Sequence, residues 1–131
     1  MGHRQKNLEP LSKFEWTIMN RIWEKSRQTA REVMEALPVE HQRAYTTIQT
    51  YLERLVEKGY LQKEKLGLVN FYTATVNRSS VVEGATSHFV NQVFGGSASR
   101  LAAFLLPNIN LQPEDILVIR QMLKEAEDQN G

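Results

Sequence analysis

The hydrophobic period of this chain changes from helical to alternating at Gly59, and few folds accommodate such a change. Upstream of it, apolar residues recur at helical spacing in three segments: Phe14, Ile18, Met19 and Ile22; Ala30, Val33, Met34 and Leu37; Ile48, Leu52, Leu55 and Val56. The first two segments open with capping boxes, Ser12 with Glu15 and Thr29 with Glu32. Pro38 stops the second, residues 38–44 form a polar loop, and Gly59 closes the third. Trp16 and Trp23 flank the first stripe, and their apolar area assigns them to the core. Downstream, Tyr60–Leu66 and Val69–Val76 alternate apolar and polar residues around Gly67, which predicts a hairpin. Three helices followed directly by a hairpin is the order of a winged helix-turn-helix. Helices two and three form the motif, and the hairpin is the wing.

The third segment sorts its polar residues in a way that suggests a use. Thr46, Gln49, Thr50 and Glu53 lie opposite the apolar stripe, with Arg54 at their edge. At about 100° per residue, the four span about a quarter of the helix circumference. Short hydroxyls and amides on an outward helix face suit the reading of base edges in a major groove. Gln pairs bidentately with adenine, and Thr bonds a base or touches a thymine methyl. A solvated helix face is the plainer alternative, although Thr is not favoured in helix interiors.

The remaining chain is helical again. A capping box from Ser80 to Glu83 is expected to open a helix bearing Val82, Ala85, Phe89, Val90, Val93 and Phe94, which ends at Gly95-Gly96. The apolar run Leu101–Leu106 is expected to stop at Pro107, leaving residues 107–112 as a connector. Pro113 starts a last helix in which Ile116, Ile119, Met122, Leu123 and Ala126 repeat at three and four. This part has too little chain to close a core alone. Either it folds back on the winged helix or it pairs with the same segment of a second copy; the second option is favoured and gives a C2 dimer with two reading heads for a palindromic site. The fold class expected is therefore mainly α with a small β wing. Residues 1–76 form the winged-helix DNA-binding domain and residues 77–131 a C-terminal helical dimerisation region. The expected dimer interface comprises Val82, Phe89, Val93, Phe94, Leu101, Phe104, Leu105, Ile116, Ile119 and Leu123.

Charge distribution supports the division. Up to Val76 there are 12 Lys and Arg against 9 Asp and Glu, and from Asn77 onward 4 against 6. The front half is thus the basic one. Lys63 and Lys65 lie on one face of the first wing strand. With Arg54, Arg31 near the start of the second helix and Lys13 near the start of the first, they are the expected phosphate contacts. Glu53 and Glu57 share the reading face and are expected to repel phosphates.

Other functions find little footing. The chain has no cysteine, so disulfides are excluded. His3, His41 and His88 lack metal-ligand spacing, and no phosphate-cradling glycine loop or nucleophile motif occurs. No enzyme activity, cofactor, metal or small-molecule ligand is expected. The first residues carry no apolar stretch after their basic ones, and no apolar run approaches the roughly 20 residues of a membrane span. A cytoplasmic location without membrane insertion is expected.

Residues 11–23, Thr46–Leu55, Lys58-Gly-Tyr-Leu61, Phe71-Tyr72 and Phe89–Gly96 resemble the penicillinase and methicillin-resistance repressors, and the likeness covers nearly the whole chain. The pattern Glu15-Trp16-x-x-Met19-x-x-x-Trp23 is its most specific part. The resemblance implies a homodimeric repressor on an inverted-repeat double-stranded DNA operator, often with TACA and TGTA halves. It makes Thr46, Thr47, Gln49 and Thr50 the base-binding residues. It also implies release by a membrane-linked metalloprotease that cuts an Asn-Phe bond, where this chain reads Phe104-Leu105. The family often has basic residues where Thr46 and Gln49 stand, and its copper-responsive branch has cysteine ligands that this chain lacks. Two other classes compete: a winged helix used only for protein–protein interaction, and a ligand-responsive regulator of the multiple-antibiotic-resistance type.

Overall fold

The first two of the three expected capping boxes form, and each starts its helix at the residue after the cap. In a computed structural model describing residues 8–130, Ser12 and Glu15 exchange side chain-to-backbone hydrogen bonds at the head of α1 (Lys13–Glu24). Thr29 and Glu32 do the same at the head of α2 (Ala30–Ala36). A single 3-10 turn, Val39–His41, lies within the expected polar loop and leads to α3 (Tyr45–Glu57). Gly59 ends α3 in a left-handed conformation with φ 91°. The Gly59 and Tyr60 amides bond back to the carbonyls of Val56 and Leu55, the Schellman pattern that satisfies the last turn. A Cβ here would meet the Cδ2 at the end of the Leu8 side chain at 2.9 Å, a contact that side chain can relieve, so the positive φ is what calls for glycine.

The wing is a hairpin of β2 (Leu61–Leu66) and β3 (Val69–Ala74), with Lys63 opposite Tyr72 and Lys65 opposite Asn70. A strand of two residues, β1 (Gln28–Thr29), pairs antiparallel with β3 on its other edge and makes the sheet three-stranded. β1 leaves no signal in the sequence, because two residues carry no period and Thr29 already serves as a helix cap. Gln28 is buried, and its amide caps the end of α1 by donating to the carbonyls of Arg21 and Lys25.

The core lies where the apolar stripes of the first three helices meet the sheet. Ile18, Met19, Ile22, Val33, Ile48, Leu52 and Leu55 are buried there, with Tyr60, Leu61 and Tyr72. One charged group enters it. Glu15 is 2% exposed and takes a 2.7 Å salt bridge from Lys58, which also donates to the Pro10 carbonyl at 2.9 Å. Burial opposes ionisation of Glu15, but hydrogen bonds from Lys58 and from the Ser12 backbone outweigh it and hold the carboxyl below its ordinary pKa.

The chain divides into two compact units between Thr86 and Ser87. Three helices complete it: α4 (Arg78–Phe94), α5 (Ala98–Asn108) and α6 (Pro113–Asn130). Two expectations are corrected here. The Ser80–Glu83 box does not open α4. Asn77 does so instead, its side-chain oxygen accepting from the Ser80 amide at 2.8 Å one turn earlier. Pro107 does not stop α5, which runs through it to Asn108. At that depth in the last turn, the proline removes one donor and leaves the earlier turns intact. The connector accordingly shrinks to residues 109–112.

None of α4, α5 and α6 contains a fully buried residue. Val82, Phe94, Leu101 and Ile119 are half-buried, while Phe89, Val93, Phe104, Leu105, Ile116 and Leu123 are exposed. Phe94 contacts both Phe89 and Phe104, with ring centroids 5.9 and 6.2 Å apart. No described helix is long and apolar enough to cross a membrane.

Candidate nucleic-acid interface

Because Ile48, Leu52 and Leu55 anchor α3 in the core, its opposite side is turned outward. Thr46, Gln49, Thr50, Glu53, Arg54 and Glu57 line one wall of an open groove there, and Asn70 and Tyr72 of β3 line the other. The Thr50 hydroxyl donates to the Thr46 carbonyl at 3.0 Å, and the Gln49 amide donates to the Tyr45 hydroxyl at 3.4 Å. Both side chains are thereby oriented without being removed from the surface. Ala44 gives α3 no side-chain cap, so the positive end of the helix is not masked by a side chain.

Glu53 has a different place from the one expected. Its carboxylate accepts from the Tyr72 hydroxyl at 2.6 Å and from Lys63 at 2.9 Å. The Tyr72 bond, and then Lys63, outweigh desolvation and hold its pKa below the usual carboxylate range. Burial, followed by the Glu53 carboxylate, pushes the Tyr72 phenol well above its ordinary value, so the phenol stays a donor. Glu53 is thus a tie between α3 and the wing, with its charge compensated by Lys63, and phosphate repulsion from this face falls to Glu57. In return, the Lys63 ammonium is engaged, whereas Lys65 is an exposed wing residue.

The structure gathers four of the expected site residues, Thr46, Gln49, Thr50 and Arg54, into this groove. Thr47 is half-buried and lies outside the groove lining. Lys13 is exposed at the first turn of α1, and Arg31 stacks on Tyr45 with its guanidinium 5.2 Å from the ring centre. Asn70 and Tyr72 were absent from the sequence reading. The signal for them exists, since hairpin pairing about Gly67 sets them across from Lys65 and Lys63 on the same sheet face. Among the described residues no cluster of acidic or histidine side chains could hold a metal.

Residues 11–125 match the sequence profile of the family described as Penicillinase repressor. The chain belongs to the penicillinase repressor family. Among its relatives, the penicillinase repressor of Bacillus licheniformis is 32% identical over 120 residues, covering 92% of this chain and 94% of the relative. The methicillin resistance regulatory protein MecI of Mammaliicoccus sciuri is 26% identical over 115 residues, covering 88% and 94% respectively. The solution structure of the DNA-binding domain of the repressor BlaI is 36% identical and covers 53% of this chain and 84% of that one, with a TM-score of 0.48. The family match spans both compact units, from the first turn before α1 into the second half of α6.

Proposed function

We propose that the protein is a transcriptional repressor that acts as a homodimer and lays α3 in the major groove of each half of an inverted-repeat operator. Membership of the penicillinase repressor family supports the broader part of this reading, a DNA-binding repressor. The observation that carries the rest is the outward face of α3: hydroxyls and an amide at its centre, with arginine at its edge and the wing alongside. Thr46, Gln49 and Thr50 discriminate bases, with Thr47 at the flank. Each good contact contributes about 1–3 kcal/mol of discrimination. Lys65, Arg54, Arg31 and Lys13 neutralise phosphates, and Lys63 shares its charge between the wing contact and Glu53. These contacts set register and affinity without reading sequence.

Residues to Val76 serve DNA, and those from Asn77 serve dimerisation through the exposed apolar side chains of α4 to α6. A chromosomal target makes the cytoplasm the place of action, and no catalysis is involved. Release by a membrane-linked metalloprotease near Phe104-Leu105 belongs to the same reading. That bond lies inside α5, so cleavage there requires the helix to open locally first.

The test is selection from a randomised duplex pool. The wild-type protein enriches an inverted repeat, and the variant carrying Gln49→Ala and Thr50→Ala binds without enrichment while its dimerisation is unchanged. A wild-type protein that enriches no sequence, or a double variant with unaltered preference, would remove α3 from the account.

A further inference from the structure

Eight cations of the first unit have one of two kinds of partner. Arg21, Lys25, Lys58 and Lys63 pair with carboxylates, which cancel their charge. Arg27, Arg31, Arg43 and Arg54 instead lie over aromatic rings, which orient a guanidinium and leave its charge intact. Two of these pairs are joined. Arg43 stands 4.8 Å above the Phe14 ring and Arg54 stands 5.0 Å above the Tyr51 ring. The two rings meet edge to face with centroids 4.8 Å apart. Both rings pack against the buried core, so the platform is held from below. Neither arginine takes part in any ion pair among the described residues. Arg43 is further fixed by donating to the Gln42 carbonyl at 2.9 Å.

The platform has a definite place relative to the groove. Tyr51 and Glu53 are separated by about 200° around α3. Glu53 faces the wing, so Tyr51, Phe14 and Arg43 occupy the opposite flank of the reading helix, with Arg54 at the groove edge between the two. A helix lying in a major groove has a phosphate backbone on each side. The wing faces one of them. The Phe14–Tyr51 platform is on the side of the other.

We propose that Arg43 and Arg54, seated on the Phe14–Tyr51 pair, clamp the phosphates of the DNA strand that runs along the flank of α3 away from the wing. Arg43 is a phosphate-binding residue in this scheme, and Phe14 and Tyr51 are positioning residues that hold both guanidinium edges outward. A planar fork kept on a ring face loses little rotamer freedom when it meets a phosphate bidentately. The inference rests on the DNA-binding reading above and adds a second line of backbone contact to it.

The experiment measures binding of the full-length protein to its selected duplex and to a random duplex across a salt series. Arg43→Gln is expected to weaken both about tenfold and to flatten the slope of log K against log salt by about 0.9 per lost contact, or about 1.8 for a dimer. Arg43→Lys and Tyr51→Leu keep the charge, so they should lower affinity about threefold with the slope unchanged. Arg27→Gln is the control. Its ring partner Phe71 precedes groove-lining Tyr72 on β3 and lies on the other sheet face, so no change is expected. Melting curves confirm that each variant is folded. An Arg43→Gln slope equal to wild type overturns the clamp, as does an equal effect of Arg27→Gln, which would make the effect one of general charge. Failure of the wild-type protein to bind duplex at all is a separate result, and it strikes the DNA-binding reading itself.

Discussion

Helices α1 to α3 and helices α4 to α6 all carry apolar residues at helical spacing, yet only the first three bury any of them completely. The difference lies in what each stripe has to pack against. In the first unit three stripes converge on a sheet that brings Leu61 and Tyr72, and the result is a closed core. In the second, Phe104 is 62% exposed and Leu123 is 61% exposed, although both lie on amphipathic helices. Periodicity therefore announces that a face will be covered, and it does not say by which molecule. The exposed apolar side chains of the second unit are what the proposed homodimer would cover.

The contrast can be broken at its strongest point first. Leu52→Ala should cost about 3 kcal/mol, because a fully buried leucine in a closed core leaves a cavity. A loss below about 1 kcal/mol in denaturant unfolding would mean that the first unit is no better packed than the second. Next in size, Lys58→Met should cost about 3 kcal/mol at neutral pH by leaving buried Glu15 without its cation. It should also reverse a pH dependence. In the wild-type protein the folded pKa of Glu15 lies below its unfolded value, so its contribution is present above the carboxylate range and is lost as pH falls through the folded pKa. Without Lys58, burial dominates and acid should stabilise the variant relative to neutral pH. Stability curves with the same sign in both proteins would count against the pair. The smallest effect sharpens the other side. Phe104→Ala should leave unfolding of the first unit unchanged while weakening self-association by about 2 kcal/mol, roughly thirtyfold in the dimer constant. Sedimentation that shows an unaltered dimer would take α5 out of the interface.

Much of the first unit could be read before the structure was known, because local chemistry decides it. Ser12, Glu15, Thr29 and Glu32 cap within four residues of themselves, and Gly59 answers a local demand for positive φ. The elements misread are those settled by weaker or longer-range balances. Asn77 and Ser80 are both competent caps, and the chain uses the earlier one. Pro107 removes one last-turn bond to the carbonyl four residues back, a loss that α5 tolerates because only one more residue follows it in the helix. β1 exists because β3 offers it an edge.

The candidate site divides in the same way. Thr46, Gln49, Thr50 and Arg54 were legible from helical spacing alone. The tie from Glu53 to Lys63 and Tyr72 was not, since it joins residues 10 and 19 positions apart through the register of the wing. Nor was the stacking of Arg43 on Phe14, which depends on how the loop before α3 passes the start of α1.

The hydroxyl of Thr50 has a chemical consequence for which bases it can favour. Its proton is already committed to the carbonyl one turn back, so an oxygen lone pair is what it shows to the groove. Such an atom is matched by the exocyclic amino groups of adenine and cytosine and mismatched by the carbonyl oxygens of guanine and thymine. If α3 reads bases as proposed, this internal bond makes Thr50 favour amino over keto bases at the position it meets.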